Sequence, residues 1–149
     1  MEQGQGIIPE MPEGFPVVPA AKYKAILSRI DDRIVSGEEM KWDGKMACWW
    51  RFKIVGGDYN GLEISGSTPM PFYSDWTPVE ENLKLKCFRW TQLCKLTWGG
   101  VQPKGIPWAE FKQKVTGTEW EIETANRKFR GVEKSEVVGV SKIESELPF

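Results

Sequence analysis

Hydrophobic and polar residues alternate without a break from Met46 to Val55. Met46, Cys48, Trp50, Phe52 and Ile54 share one side; Ala47, Trp49, Arg51, Lys53 and Val55 share the other. A period of two marks a β-strand with one face in a core. Upstream, Tyr23, Ala25 and Leu27 alternate with Lys22, Lys24, Ile26 and Ser28. This predicts a strand over Lys22–Val35, which needs a bend or bulge to continue past Ile30, as in a long strand curling around a barrel. Ser36–Lys45 reads as a polar connection. Val55–Gly61 is rich in turn residues and predicts a hairpin, followed by a strand over Leu62–Thr68. Gly61 and Gly66 suit a sharp bend at a barrel corner.

The period then changes. Pro69–Asn82 reads as a proline-broken loop whose Phe72, Tyr73 and Trp76 either cluster or line a groove. Asn82–Trp98 predicts a helix with Asn82 as N-cap and Gly99–Gly100 as its stop. Leu83, Cys87, Trp90 and Cys94 fall on one face of it. A short helix is expected over Pro107–Val115, with Trp108 and Phe111 inward. Alternation returns over Thr118–Thr124, then a basic turn, Asn126–Gly131, leads into a last strand over Val132–Ile143.

Three strands, a helix and two strands make the order of the OB-fold. That fold is mainly β, a five-stranded barrel with one helix between strands 3 and 4. Residues 20–143 are assigned to this domain. Residues 1–19, with Pro9, Pro12, Pro16 and Pro19, predict a flexible or extended N-terminal arm. Residues 144–149 form a short acidic-apolar C-terminal tail.

Composition narrows the chemistry. The chain of 149 residues is 40% hydrophobic and 28% charged, an ordinary globular balance for one domain. It contains no histidine, which removes Ser-His, Cys-His and His-ligated metal chemistry. Cys48, Cys87 and Cys94 show neither disulfide nor zinc spacing. Asp31–Asp32 and Glu38–Glu39 read as solvated charges flanking loops, so no metal or other cofactor is expected and an enzyme is disfavoured. With no apolar run of membrane-spanning length and no secretory pattern, a cytoplasmic protein is expected, with no membrane partner. The net charge of −1 hides an uneven distribution: Lys84, Lys86, Arg89, Lys95, Lys104, Lys112 and Lys114 face only Glu110 between positions 84 and 114.

Three features combine an aromatic ring with cations, the pairing that stacks bases and holds phosphates. They are Trp49 beside Arg51 and Lys53, Trp42 between Lys41 and Lys45, and Phe129 among Arg127, Lys128 and Arg130. The plain alternatives are an amphipathic strand with a basic outer face and a Trp42 folded back onto the core. An OB-fold binds oligonucleotides on strands 2–3 and on the loops joining strands 1–2 and 4–5, and all three features map there. Single-stranded DNA is the partner expected.

The tail Glu144-Ser145-Glu146-Leu147-Pro148-Phe149 resembles the C-terminal tip of bacterial single-stranded DNA-binding proteins, with fewer acids than their long acidic run. The resemblance implies that Glu146, Leu147, Pro148 and Phe149 dock on replication or recombination proteins. The body, from Val17 to Ile143, resembles phage-encoded OB-fold single-stranded DNA-binding proteins through Ala20–Asp31, Trp49–Ser67 and Val115–Gly131. This implies a protein of the host cytoplasm that coats single strands without strong sequence preference. Two other readings stand beside it: an OB scaffold that binds a replication protein without DNA, and an accessory to strand annealing. The sequence leaves oligomeric state open, a homo-oligomer included.

Overall fold

A computed structural model describes residues 6–7, 17–35, 44–129 and 131–143. The expectations for Lys41, Trp42, Arg130, Glu146, Leu147, Pro148 and Phe149 lie outside them. Five strands, β1 (Lys22–Ile34), β2 (Lys45–Ile54), β3 (Glu63–Tyr73), β4 (Glu119–Phe129) and β5 (Val132–Ser141), close a barrel in the order β1-β2-β3-β5-β4. Helices α1 (Glu81–Lys84), α2 (Phe88–Thr97) and α3 (Trp108–Val115) lie between β3 and β4, with a 3₁₀ turn at Leu85–Cys87 joining the first two. This is an OB-like barrel, as the strand order implies. Among the described residues no helix is long and apolar enough to cross a membrane.

The bulge anticipated in β1 falls between Leu27 and Arg29. It shifts the alternation by one, so Ala25, Leu27 and Ile30 are all buried although Leu27 and Ile30 are three apart. The bend lets β1 serve both sides of the barrel, pairing with β4 over Lys22–Ile26 and with β2 over Ala25–Ile34. In β2 the inner face is as read, with Met46, Cys48, Trp50, Phe52 and Ile54 buried. Ala47, read on the outer face, is buried too, beside a register shift between Lys45 and Ala47. Trp50 sits at the centre, donating from Nε1 to the Thr68 hydroxyl (2.9 Å) and meeting Phe111 of α3 edge-on at 6.5 Å.

Four expectations are corrected. First, β3 does not stop at Thr68 but runs through Pro69 and Pro71 to Tyr73. Its pairing with β5 is confined to Ser65–Glu136, and beyond that point one edge is free of a neighbouring strand, where proline is tolerated. The backbone there turns to its own loop: Val79 N–H donates to Pro71 O (3.1 Å) and Tyr73 N–H to Thr77 O (2.8 Å). Second, the expected single helix is broken at Leu85–Cys87, and its N-cap is Glu80 rather than Asn82, with no side-chain cap bond. Its stop is as read, with Gly100 N–H donating to Lys95 O (2.7 Å). Third, Arg127 and Lys128 belong to β4 and not to a turn, because the β4–β5 ladder continues to the Phe129–Val132 pair. Fourth, Asp31 and Asp32 lie within β1 and are engaged, not loose loop charges. Asp32 Oδ1 accepts from Trp108 Nε1 (3.0 Å) and Lys112 Nζ (2.7 Å), tying α3 to the barrel.

Val18, read as part of the arm, is a core residue (1% exposed) whose N–H donates to the Ser135 hydroxyl (2.8 Å). The packed body therefore includes the last residues before β1.

Gly66 marks a close approach between β3 and β5. A Cβ there would stand 2.7 Å from the backbone oxygen of Val137 across the β3–β5 seam. Gly66→Ala is expected to cost about 1–3 kcal/mol, read as a lowered melting temperature, because a backbone carbonyl cannot swing aside as a flexible side chain can. The three cysteines are free and buried, and burial pushes each thiol above its ordinary pKa. Since the thiolate is the reactive form, iodoacetamide at mildly alkaline pH should label none of them until the protein is denatured. Intact mass before and after denaturant checks this.

Candidate nucleic-acid interface

Because the inner residues of β2 are committed to the core, strand geometry sends Trp49, Arg51 and Lys53 to the outer surface. The register fixes their neighbours. Trp49 lies between Asp31 of β1 and Ser67 of β3; Arg51 lies between Arg29 and Ser65; Lys53 lies between Ile26 and Glu63. Arg33 of β1 is drawn across to Trp49, its guanidinium 4.2 Å from the ring centroid. Arg33 was not singled out from the sequence. Its signal was present, since the bulge puts Arg29, Asp31 and Arg33 on one face, but only the bulge's position reveals it.

A groove of about 380 Å³ opens on this surface, lined in part by Arg33, Trp49, Arg51, Ser65 and Lys134. Trp49 is half-buried in its wall, so the ring is both held and reachable. Lys134 carries the groove onto β5, and Arg127 of β4 stands directly across from it. Arg127 pairs with Glu136 at 3.4 Å and is largely exposed. Trp49, Arg51 and Arg127 are thereby brought to one continuous surface, although they are far apart in the chain. Lys53 is exposed at its rim. Lys45 lies farther along β2, its ammonium 5.4 Å from the ring of Tyr73. The Tyr73 hydroxyl donates to Glu80, a bond that raises the phenol's pKa and lowers that of the carboxyl. Lys128 is exposed, and alternation turns it to the side of the hairpin opposite Arg127. Phe129 enters through its backbone, paired with Val132.

The electrostatics of the face are mixed. Arg51 Nε donates to Asp31, and Arg29 lies 3.7 Å from Asp31 and 3.2 Å from Glu63. Ser28, the bulged residue, has its hydroxyl 2.7 Å from Glu63 Oε2 and 3.0 Å from Arg51 O. Cations still prevail there: Arg29, Arg33, Arg51, Lys53, Arg127 and Lys134 against Asp31, Glu63 and Glu136. Of the seven cations between positions 84 and 114, by contrast, four make contacts within the fold. Lys84 pairs with Glu81, Arg89 donates to Val138 O (3.2 Å), Lys112 binds Asp32, and Lys114 lies over Trp98.

Five other aromatics form one connected stack at the helical end of the barrel. Phe72 meets Trp76 (5.3 Å) and Trp90 (5.6 Å), Trp90 meets Trp108 (5.7 Å), and Trp108 lies parallel to Phe111 (5.1 Å). The expected cluster of loop aromatics thus exists for Phe72 and Trp76, while Tyr73 points elsewhere. Among the described residues no cluster of three or more Cys, Asp or Glu side chains could hold a metal ion. No protein-family model matches the chain, and no curated protein matches it.

Proposed function

We propose that this chain is a single-stranded DNA-binding protein of phage type, which coats DNA during replication or recombination without strong sequence preference. One observation carries the reading: a reachable tryptophan, Trp49, sits in an open groove whose walls bear Arg33, Arg51 and Lys134. An aromatic face flanked by cations on the outer surface of β2 and β3 is how an OB barrel holds a strand, bases stacking on the ring and phosphates on the cations. Sequence tolerance follows, because every base offers a flat face while hydrogen-bonding edges need not be read. Arg127 and Lys128 would extend the phosphate track along the hairpin, and Trp42 and Phe129 would add stacking faces. The tip Glu146–Phe149 would recruit the replication or recombination partner.

Titration with oligo-dT under tryptophan fluorescence tests the reading. Quenching that weakens as salt rises is expected, since phosphate contacts release counterions. A folded protein whose fluorescence does not change at low salt would refute it.

A second reading, an OB scaffold for protein binding, has its own observation. The aromatic stack borders a groove of about 530 Å³ lined by Phe72, Trp76, Trp90 and Trp108. Trp76, about two-fifths exposed, is held there at a positive φ of 68°, and Trp90 Nε1 is buried with no acceptor among the described residues. That reading predicts no response to oligo-dT.

A further inference from the structure

Arg29 and Arg51 face one another directly across β1 and β2, an arrangement of like charges that destabilises a sheet. Two carboxylates relieve it. Asp31 lies against both guanidiniums, accepting from Arg51 Nε and standing 3.7 Å from Arg29 Nε. Glu63, on β3, reaches Arg29 from the other side at 3.2 Å. The carboxylates therefore present anionic oxygens where a nucleic-acid phosphate would, Asp31 to both arginines and Glu63 to Arg29. None of the three ion pairs is fully enclosed: the side chains of Arg29, Asp31, Glu63 and Arg51 are 58%, 42%, 29% and 25% exposed. They lie on the same face as Trp49, whose cross-strand neighbour is Asp31 itself.

From this we infer that binding at the groove is an exchange of anions, in which strand phosphates displace Asp31 and Glu63 from Arg29 and Arg51. The inference rests on the nucleic-acid reading and adds a device to it. Built-in carboxylates compete with phosphate, so affinity is held below what the cations alone would give. Fewer solution counterions are released as well, because some of the positive charge is already neutralised by the protein. The salt dependence of binding is then shallower than the number of groove cations suggests. A protein that must be removed from its strand after coating it gains from such a limit.

The variants Asp31→Asn and Glu63→Gln keep size and hydrogen-bonding capacity while removing the competing charge. Each should bind oligo-dT about two- to fivefold more tightly than the unaltered protein, the effect of freeing one exposed ion pair. The slope of log affinity against log salt should steepen, by about 0.7 for each additional phosphate contact that releases a counterion. Glu81→Gln removes the same charge from an ion pair on α1. Measured near 0.15 M salt, where the screening length is about 8 Å, it should leave both quantities unchanged. Thermal melts of all three confirm folding, and the two test sites on separate strands guard against one variant misfolding. Equal or weaker binding by both Asp31→Asn and Glu63→Gln overturns the inference, since the carboxylates then position the arginines and do not compete with phosphate. An unaltered protein that fails to bind oligo-dT removes the nucleic-acid reading itself, and the exchange with it.

Discussion

Trp49→Ala should lower affinity for oligo-dT about 5- to 150-fold, the loss of roughly 1–3 kcal/mol that removal of one stacking face entails. The barrel should survive it. Trp49 is half-buried on the outer surface, and its ring carries the Arg33 guanidinium, an exposed cation–π pair of about 0.5–1 kcal/mol. For a chain this long, that lowers the melting temperature by about 1–4 °C. Oligo-dT titration and a thermal melt on one preparation separate the two effects. Unchanged affinity would move the stacking role off Trp49 and weaken the assignment of the groove.

The neighbouring residue should behave in the opposite way. Trp50→Ala removes the largest fully buried side chain and leaves a void beneath Phe111. It also strips the buried Thr68 hydroxyl of its donor. Truncation of a buried Trp costs about 3–5 kcal/mol, enough to lower the melting temperature by about 6–20 °C in a domain of this size. Where the variant remains folded, its affinity per folded molecule should match that of the unaltered protein. The pair is a direct test of the face assignment: two adjacent tryptophans, one governing binding and the other stability. A Trp50→Ala variant that melted normally would mean that the strand faces are exchanged.

That assignment was legible in the sequence because β2 is regular beyond the register shift at its start. Five apolar residues at strict spacing leave one orientation that buries them, so Trp49 and Arg51 had to face outward. The strand order and the helix between strands 3 and 4 were legible for the same reason, since each element carried its own periodicity. The bends were not. Pro69 and Pro71 look like a loop until it is known that β3 has left β5 at Ser65 and that its free edge needs no N–H there. Arg127 and Lys128 look like a turn because the chain after Thr124 is polar, yet cross-strand pairing with β5 keeps it extended. Asp31 and Asp32 look alike as neighbouring acids. Alternation sends one to the arginines of the outer face and the other to Trp108 and Lys112 at the barrel's end.

Local pattern alone settles which residues of this chain prefer burial and in what order its strands and helices follow, because both depend on spacings of a few residues. It also supplies the tryptophans and cations of the groove. What it leaves undetermined is which of those groups meet. Arg33 reaches Trp49 because a bulge at Ser28 turns its side of β1 outward, and Lys134 joins them because the barrel closes between β3 and β5. The carboxylates that shadow Arg29 and Arg51 come from two different strands. Such meetings depend on register, a property of pairs of strands far apart in the chain, and no single strand carries that information.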